Sequence, residues 1–226
     1  MLYKFCFFIF LLFVNFSCSQ KRDDLSGYIT LQSEISSSKG SESLTPVSIL
    51  TIDNNKNVLE FNVKLKRFNG EFAGADTLNV FFINTQKGIY SAYKKIGIDE
   101  KPYLSESIEN KKEGLSFLKR DVDFFADVKD IKIKDTILNG NNYKLAIGFK
   151  KADNSELKYE AYISKTPRYF PVQISKIVSK ETDGGFVEKV RIIDKANDRI
   201  ITFKSSYEKK ELPKSIDKIM KAWSRN

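Results

Sequence analysis

The chain has 226 residues, 38 Lys+Arg against 29 Asp+Glu, a formal charge of +9, and no histidine. Without an imidazole there is no Ser-His-Asp triad, no Cys-His dyad, no histidine general base and no histidine zinc site. A hydrophobic share of 41% is that of a folded domain and excludes a disordered charged tail.

Residues 1–17 carry one cation, Lys4, ahead of an apolar run from Phe5 to Phe16. The run has the length of a signal-peptide core and falls short of the roughly 20 residues of a membrane span. Ser17 and Cys18 come next, and then the polar stretch from Ser19 to Asp24. This succession resembles a bacterial lipoprotein signal, in which a small residue precedes the cysteine that receives lipid. The resemblance implies lipid attachment at Cys18 and a place in the cell envelope at the outer membrane, with the leaflet undetermined. A signal cleaved without lipidation and an uncleaved N-terminal anchor are the competing readings. The expected organisation is a signal peptide over 1–17, a lipidated tether over 18–26 and one antiparallel-sheet domain over 27–226. Cys6 would leave with the signal and Cys18 would be acylated, so no thiol chemistry remains. Stable attachment takes at least two acyl chains, which a diacylglyceryl group supplies.

Period-two alternation dominates the chain beyond the tether. Strands are expected at Tyr28–Glu34, Pro46–Ile52 and Leu59–Lys66, the last with Leu59, Phe61, Val63 and Leu65 on one side and Glu60, Asn62, Lys64 and Lys66 on the other. Further strands are expected at Thr77–Asn84, Gly88–Lys94 and Lys129–Leu138. Tyr143, Leu145, Ile147 and Phe149 form another apolar side, as do Leu157, Tyr159, Ala161 and Ile163. Pro171–Val178, Val187–Ile193 and Arg199–Ser205 complete the set. Asn/Asp/Gly runs at 53–57, 139–142, 153–154 and 183–185 read as hairpin turns, hence antiparallel neighbours. The fold class is therefore mainly antiparallel β with some α. About ten strands form one large curved sheet or unclosed half-barrel, apolar on one face and Lys-rich on the other.

Two helices are expected. Leu104–Leu118 is polar, with Gly114 weakening it. The C-terminal one starts at Pro213 and places Ile216, Ile219, Met220 and Trp223 on one stripe, with Lys214, Lys218, Lys221 and Arg225 opposite. That stripe either packs on the sheet or lies on an anionic membrane. Two modest helices do not cover ten strands, so the sheet either curls on itself or leaves an apolar cleft for a ligand.

Catalytic signals are weak. Asp121, Asp123, Asp127 and Asp130 form the densest acidic cluster, but Phe125 and Ala126 stand where a calcium loop needs an oxygen ligand and a glycine. Phosphate-binding and nucleophile-elbow motifs are absent. Ser-x-x-Lys occurs at Ser36–Lys39 and Ser91–Lys94, as chance allows in a lysine-rich chain. No catalytic residue, metal ligand or cofactor is expected. The scattered lysines do not resemble a nucleic-acid groove.

The second half carries Asp135-Thr136-Ile137-Leu138-Asn139-Gly140-Asn141-Asn142-Tyr143-Lys144-Leu145, then Ala161-Tyr162-Ile163-Ser164, then Tyr169-Phe170-Pro171-Val172-Gln173-Ile174. Over about residues 130–205 this order resembles the lipoprotein-carrier (LolA/LolB-like) superfamily and its periplasmic relatives. The resemblance implies an unclosed antiparallel barrel with a lid, whose apolar interior takes lipid or acyl chains through a diffuse lining without a fixed set of ligand residues. The expected function is a membrane-anchored, non-catalytic module that binds a lipid or another apolar ligand. The alternative is an interaction lipoprotein with a closed core, whose Lys-rich face meets an anionic envelope polymer or a protein partner.

Overall fold

The alternation resolves into eleven strands of one antiparallel sheet. The computed structural model describes residues 25–225 apart from 54–55, 69–70, 116–117, 120–121, 153–154 and 167–168. The signal peptide, Cys18 and the tether up to residue 24 lie outside the described residues. The strands are β1 (Gly27–Ser37), β2 (Gly40–Asp53), β3 (Asn57–Phe68), β4 (Glu71–Asn84), β5 (Ile89–Tyr93), β6 (Leu104–Ser107), β7 (Lys129–Leu138), β8 (Asn141–Ala152), β9 (Ser155–Ser164), β10 (Phe186–Asp194) and β11 (Arg199–Lys209). Helix α1 spans Lys176–Glu181 and α2 spans Lys214–Trp223.

The spatial order is β6-β5-β4-β3-β2-β1-β11-β10-β9-β8-β7. Two meanders meet where β1 pairs β11, so the first and last strands are central. The edges, β6 and β7, are consecutive in sequence and unpaired with each other, which leaves the sheet open. The chain between them must therefore travel from one edge to the other. Ten gaps of about 4.8 Å make that roughly 48 Å across a flat sheet, whereas the residues of 108–128 as a single helix reach only about 32 Å. Among the described residues the connection is irregular, with a 3-10 turn at Ile108–Asn110.

This corrects the helix expected over 104–118: Leu104–Ser107 pairs with β5 and the rest is covering chain. The strand expected at Pro171–Val178 is also absent. Its first half is irregular and unpaired, with bends at Pro171 and Ile174, and its second half begins α1. The turn at 183–185 consequently joins a helix to β10 and closes no hairpin.

The inner face holds the larger core. Ile29, Leu50, Ile52, Val58, Phe81, Ile83, Ala161, Ile163 and Val190 are buried there. Two connections cover it. Residues 108–128 contribute Ile108, Leu118 and Phe125, and residues 165–185 contribute Phe170, Val172, Ile174 and Val178. On β8 the apolar side is not the one the alternation suggests. Ala146 faces the inner core, opposite Ala161, while Phe149 pairs with Lys158 on the outer face and is 37% exposed. Small residues are needed on the inner side because the cover lies close: a Cβ on Gly148 would stand 2.4 Å from Val128 Cγ1.

The outer face is not wholly wet. Over β3–β5 it carries a second core of Leu59, Val80, Phe82, Tyr93, Met220 and Trp223. The C-terminal stripe thus packs on the sheet. Trp223 stacks on Tyr93 at 3.6 Å between ring centroids, and its Nε1 donates to Gly97 O at 3.1 Å.

Candidate functional site

The inner face of the sheet is covered by the two connections, residues 108–128 and 165–185. The β6–β7 connection crosses the sheet by a sequence of contacts. Lys111 sits over β3 and β4, Phe124 packs on Phe203 of β11, and Phe125 meets Tyr159 of β9. Phe170, from the second covering segment, sits between Phe186 and Tyr207 at ring-centroid distances of 4.8 and 4.7 Å.

Two polar anchors hold this cover. The first is Glu60, expected on the wet face but buried on the inner one. Its carboxylate lies 2.9 Å from Lys111 Nζ, and the two side chains are 3% and 1% exposed. Glu60 Oε1 also accepts from Leu115 N at 2.7 Å, and Lys111 Nζ donates to Glu113 O at 2.5 Å and lies 4.4 Å from the Phe81 ring centroid. Burial pushes the Glu60 carboxyl up and the Lys111 ammonium down, in both cases against their mutual attraction. Gly114 makes room for the pair. It has φ +72°, and a Cβ there would stand 2.2 Å from Glu60 Oε1.

The second anchor is Asp123, the one member of the acidic cluster with several structural bonds. Its Oδ2 accepts from Lys176 N at 2.6 Å and Ile177 N at 2.9 Å, and its Oδ1 accepts from Ser175 Oγ at 2.7 Å and Phe125 N at 2.8 Å. The carboxylate thus ties the first covering segment to the start of α1 in the second. Asp127 instead pairs with Lys150 at 3.3 Å, Asp130 is exposed in a left-handed conformation, and Asp121 lies outside the described residues. Among the described residues no group of three or more His, Cys, Asp or Glu is placed to hold a metal ion. Asp123→Asn keeps the shape and removes the charge behind four hydrogen bonds. We expect a loss of about 2 kcal/mol in urea unfolding, with amide exchange at 170–185 accelerated more than in the strands.

Beside α1 a surface depression of about 500 Å³ is lined by Tyr169, Phe170, Lys176, Ser179 and Lys180. Phe170 belongs at once to this depression and to the inner core. Gln173, Asp183 and Gly184 complete the lining, so two aromatic rings stand among polar groups of both signs, and Lys176 Nζ donates to the Lys119 carbonyl. Neither Glu60–Lys111 nor Asp123 was identifiable as an anchor from local sequence. Glu60 shares its phase with Asn62, Lys64 and Lys66, which is why the pattern places it on the wet side.

The outer face from β1 to β7 is not covered by α2. Its cross-strand rows are set by the register. One runs Lys134, Leu145, Tyr162, Lys189, Lys204, Gln32; the next runs Lys132, Ile147, Glu160, Arg191, Thr202, Glu34.

No family model matches the chain, and no curated protein matches it in sequence. Solved structures similar to it include PNGF-II (TM-score 0.37, 14% identity, 85% of this chain), of which the chain spans 30%. Another is a domain from Vibrio parahaemolyticus described as an outer membrane lipoprotein-sorting protein (TM-score 0.28, 10% identity, 89% of this chain and 94% of that one). A third is a DUF1329 family protein from Desulfovibrio piger (TM-score 0.20, 10% identity, 83% and 86%).

Proposed function

We propose that this chain is a lipid-anchored protein of the bacterial cell envelope, attached through Cys18 to the outer membrane, that binds an apolar ligand with an acidic head, such as an acyl chain, without catalysis or cofactor. The observation that carries the reading is the depression of about 500 Å³ beside α1, whose floor residue Phe170 is also part of the inner core. An acyl chain entering there would displace covering side chains and take up their contacts on the sheet. Affinity would come from apolar burial at about 25 cal/mol per Å², and Lys180 on the rim would orient the head. Among the described residues no helix is long and apolar enough to cross a membrane.

One observation favours the alternative of a closed core. Phe125, Val172, Ile174 and Val178 are all buried on the inner face, so the protein fills much of that face itself. Native mass spectrometry of the full mature chain, purified without detergent and then titrated with laurate, separates the two. A co-purified apolar adduct or saturable laurate binding supports the carrier reading. A bare chain that does not bind laurate overturns it in favour of the closed core.

A further inference from the structure

Ligand binding under the cover makes no use of the outer face of the six strands from β7 to β1 in the sheet order. That face carries an excess of positive charge in two dimensions. One row holds Lys134, Lys189 and Lys204 and no acid, and the next holds Lys132 and Arg191 with Glu160 and Glu34. A third runs Lys129, Phe149, Lys158, Ile193, Ile200, Ser36, again without an acid. Seven cations thus meet two acids over three neighbouring rows. Both acids are already engaged: Glu160 is bound by Lys158 and Arg191 at 2.7 and 2.9 Å, and Glu34 by Lys204 at 3.1 Å. Among the described residues Lys129, Lys132, Lys134 and Lys189 form no ion pair, and Lys189 and Lys204 are direct cross-strand partners, an arrangement unfavourable by itself. Beyond the three rows the excess ends. Lys151 stands opposite Glu156 on one side, and Glu188 and Glu208 lie on the other.

Five strand gaps by two row spacings make this a patch of about 24 by 14 Å. The charge has no single line along which an extended chain would lie, and it matches a partner whose own charge is spread over a plane. Apolar side chains stand among the cations: Ile147, Ile193 and Ile200 are half-buried, and Phe149 is exposed. Long lysine side chains around an apolar floor are the composition that meets lipid headgroups while touching the acyl boundary. We propose that this outer face docks the domain on an anionic phospholipid surface. The tether favours the same occupant. Residues 18–26 reach at most about 31 Å when extended, and Gln32, in the nearest row, lies only about 17 Å along β1 from Gly27. A bilayer holding the lipid is therefore within reach of the patch and at high effective concentration, so that a weak surface suffices. Only this last argument rests on acylation at Cys18. With the outer face down, the cover of the inner face would point away from the membrane.

The test uses the full mature chain without its lipid, carrying Cys18→Ser, in co-sedimentation with equimolar phosphatidylcholine–phosphatidylglycerol vesicles. Pure phosphatidylcholine vesicles serve as control, and polygalacturonate and single-stranded DNA as competing classes. The chain should bind the anionic vesicles and not the neutral ones, and binding should weaken as salt rises. A cation close to an anionic bilayer is worth about a factor of five in affinity. Lys129→Gln/Lys132→Gln/Lys134→Gln/Lys189→Gln should therefore bind at least about tenfold more weakly. Lys87→Gln/Lys101→Gln/Lys112→Gln/Lys165→Gln removes the same net charge from outside the face and should change binding less than about threefold. Three of the lysines in the first variant lie exposed on the edge strand and the fourth is repelled by Lys204, so it should melt with the parent. The lipid and salt dependence of the parent tests the proposal without any variant. No binding to the anionic vesicles, equal binding to the neutral ones, an equal loss in the control variant, or tighter face-dependent binding to polygalacturonate or DNA would overturn it. None of these outcomes bears on acylation at Cys18 or on laurate binding under the cover.

Discussion

Lys111→Met is expected to lose about 3–5 kcal/mol of stability at pH 7, because it leaves the Glu60 carboxylate buried without its cation. The loss should have a distinctive pH dependence. Burial already holds the Glu60 carboxyl above its ordinary 4.5 with Lys111 present, and the variant removes the attraction that opposes this. Its folded state then binds the proton more tightly than its unfolded state. Relative to the parent, the variant keeps its stability below about pH 4.5 and loses it as pH rises through the raised folded value. Glu60→Leu/Lys111→Met should recover most of the loss, since a well-packed apolar pair avoids desolvating two charges. Urea unfolding from pH 4 to 8 checks all three expectations. A pH-independent loss in Lys111→Met would mean that the lysine acts only through the packing of its stem.

Trp223→Ala is the other large effect. Trp223 stacks on Tyr93, meets Phe82 edge-on and reaches the Gly97 carbonyl, and α2 joins the sheet mainly through it and Met220. A buried Trp→Ala change costs about 3–5 kcal/mol, a large part of the 5–15 kcal/mol typical of a whole domain. The helix has little of its own to fall back on. It is ten residues long, it lacks a side-chain N-cap, and its Asp217–Lys221 pair is exposed. The expected result is a detached helix, exposed Leu59, Val80 and Phe82, and rapid proteolysis near residues 210–213 at temperatures where the sheet still holds. Trp223→Phe should keep the stacking, lose the hydrogen bond to Gly97 and cost less than half as much.

Local pattern was a good guide to the strands and a poor one to what lies over them. The alternation of Leu157, Tyr159, Ala161 and Ile163 survives intact as the inner side of β9. On β8 the same reasoning fails. Tyr143, Leu145, Ile147 and Phe149 are more apolar than Lys144, Ala146 and Gly148, yet the second set faces inward. The choice of side is made by Ala161 and Tyr159 across the ladder and by Phe125 and Val128 lying on top, none of which is local to β8. Glu60 fails as a surface residue for the same reason, because its cation comes from a distant connection. At 171–178 Val172 and Ile174 alternate like a strand, and Ile174 and Val178 repeat like a helix. Asp123 settles the matter by capping α1 from another segment. The shortage of covering helices was legible from the sequence; that irregular chain makes up the shortage was not.

The central claim is that this cover is the movable wall of an apolar site. Hydrogen–deuterium exchange of the full mature chain with and without laurate tests it most directly. The account predicts that amides at 108–128 and 165–185 exchange faster than those of β1, β10 and β11 in the free protein, and that they change in both segments on saturation with laurate while the central strands do not. Cover amides as protected as the central strands and unmoved by laurate would contradict it and leave the inner face a closed core.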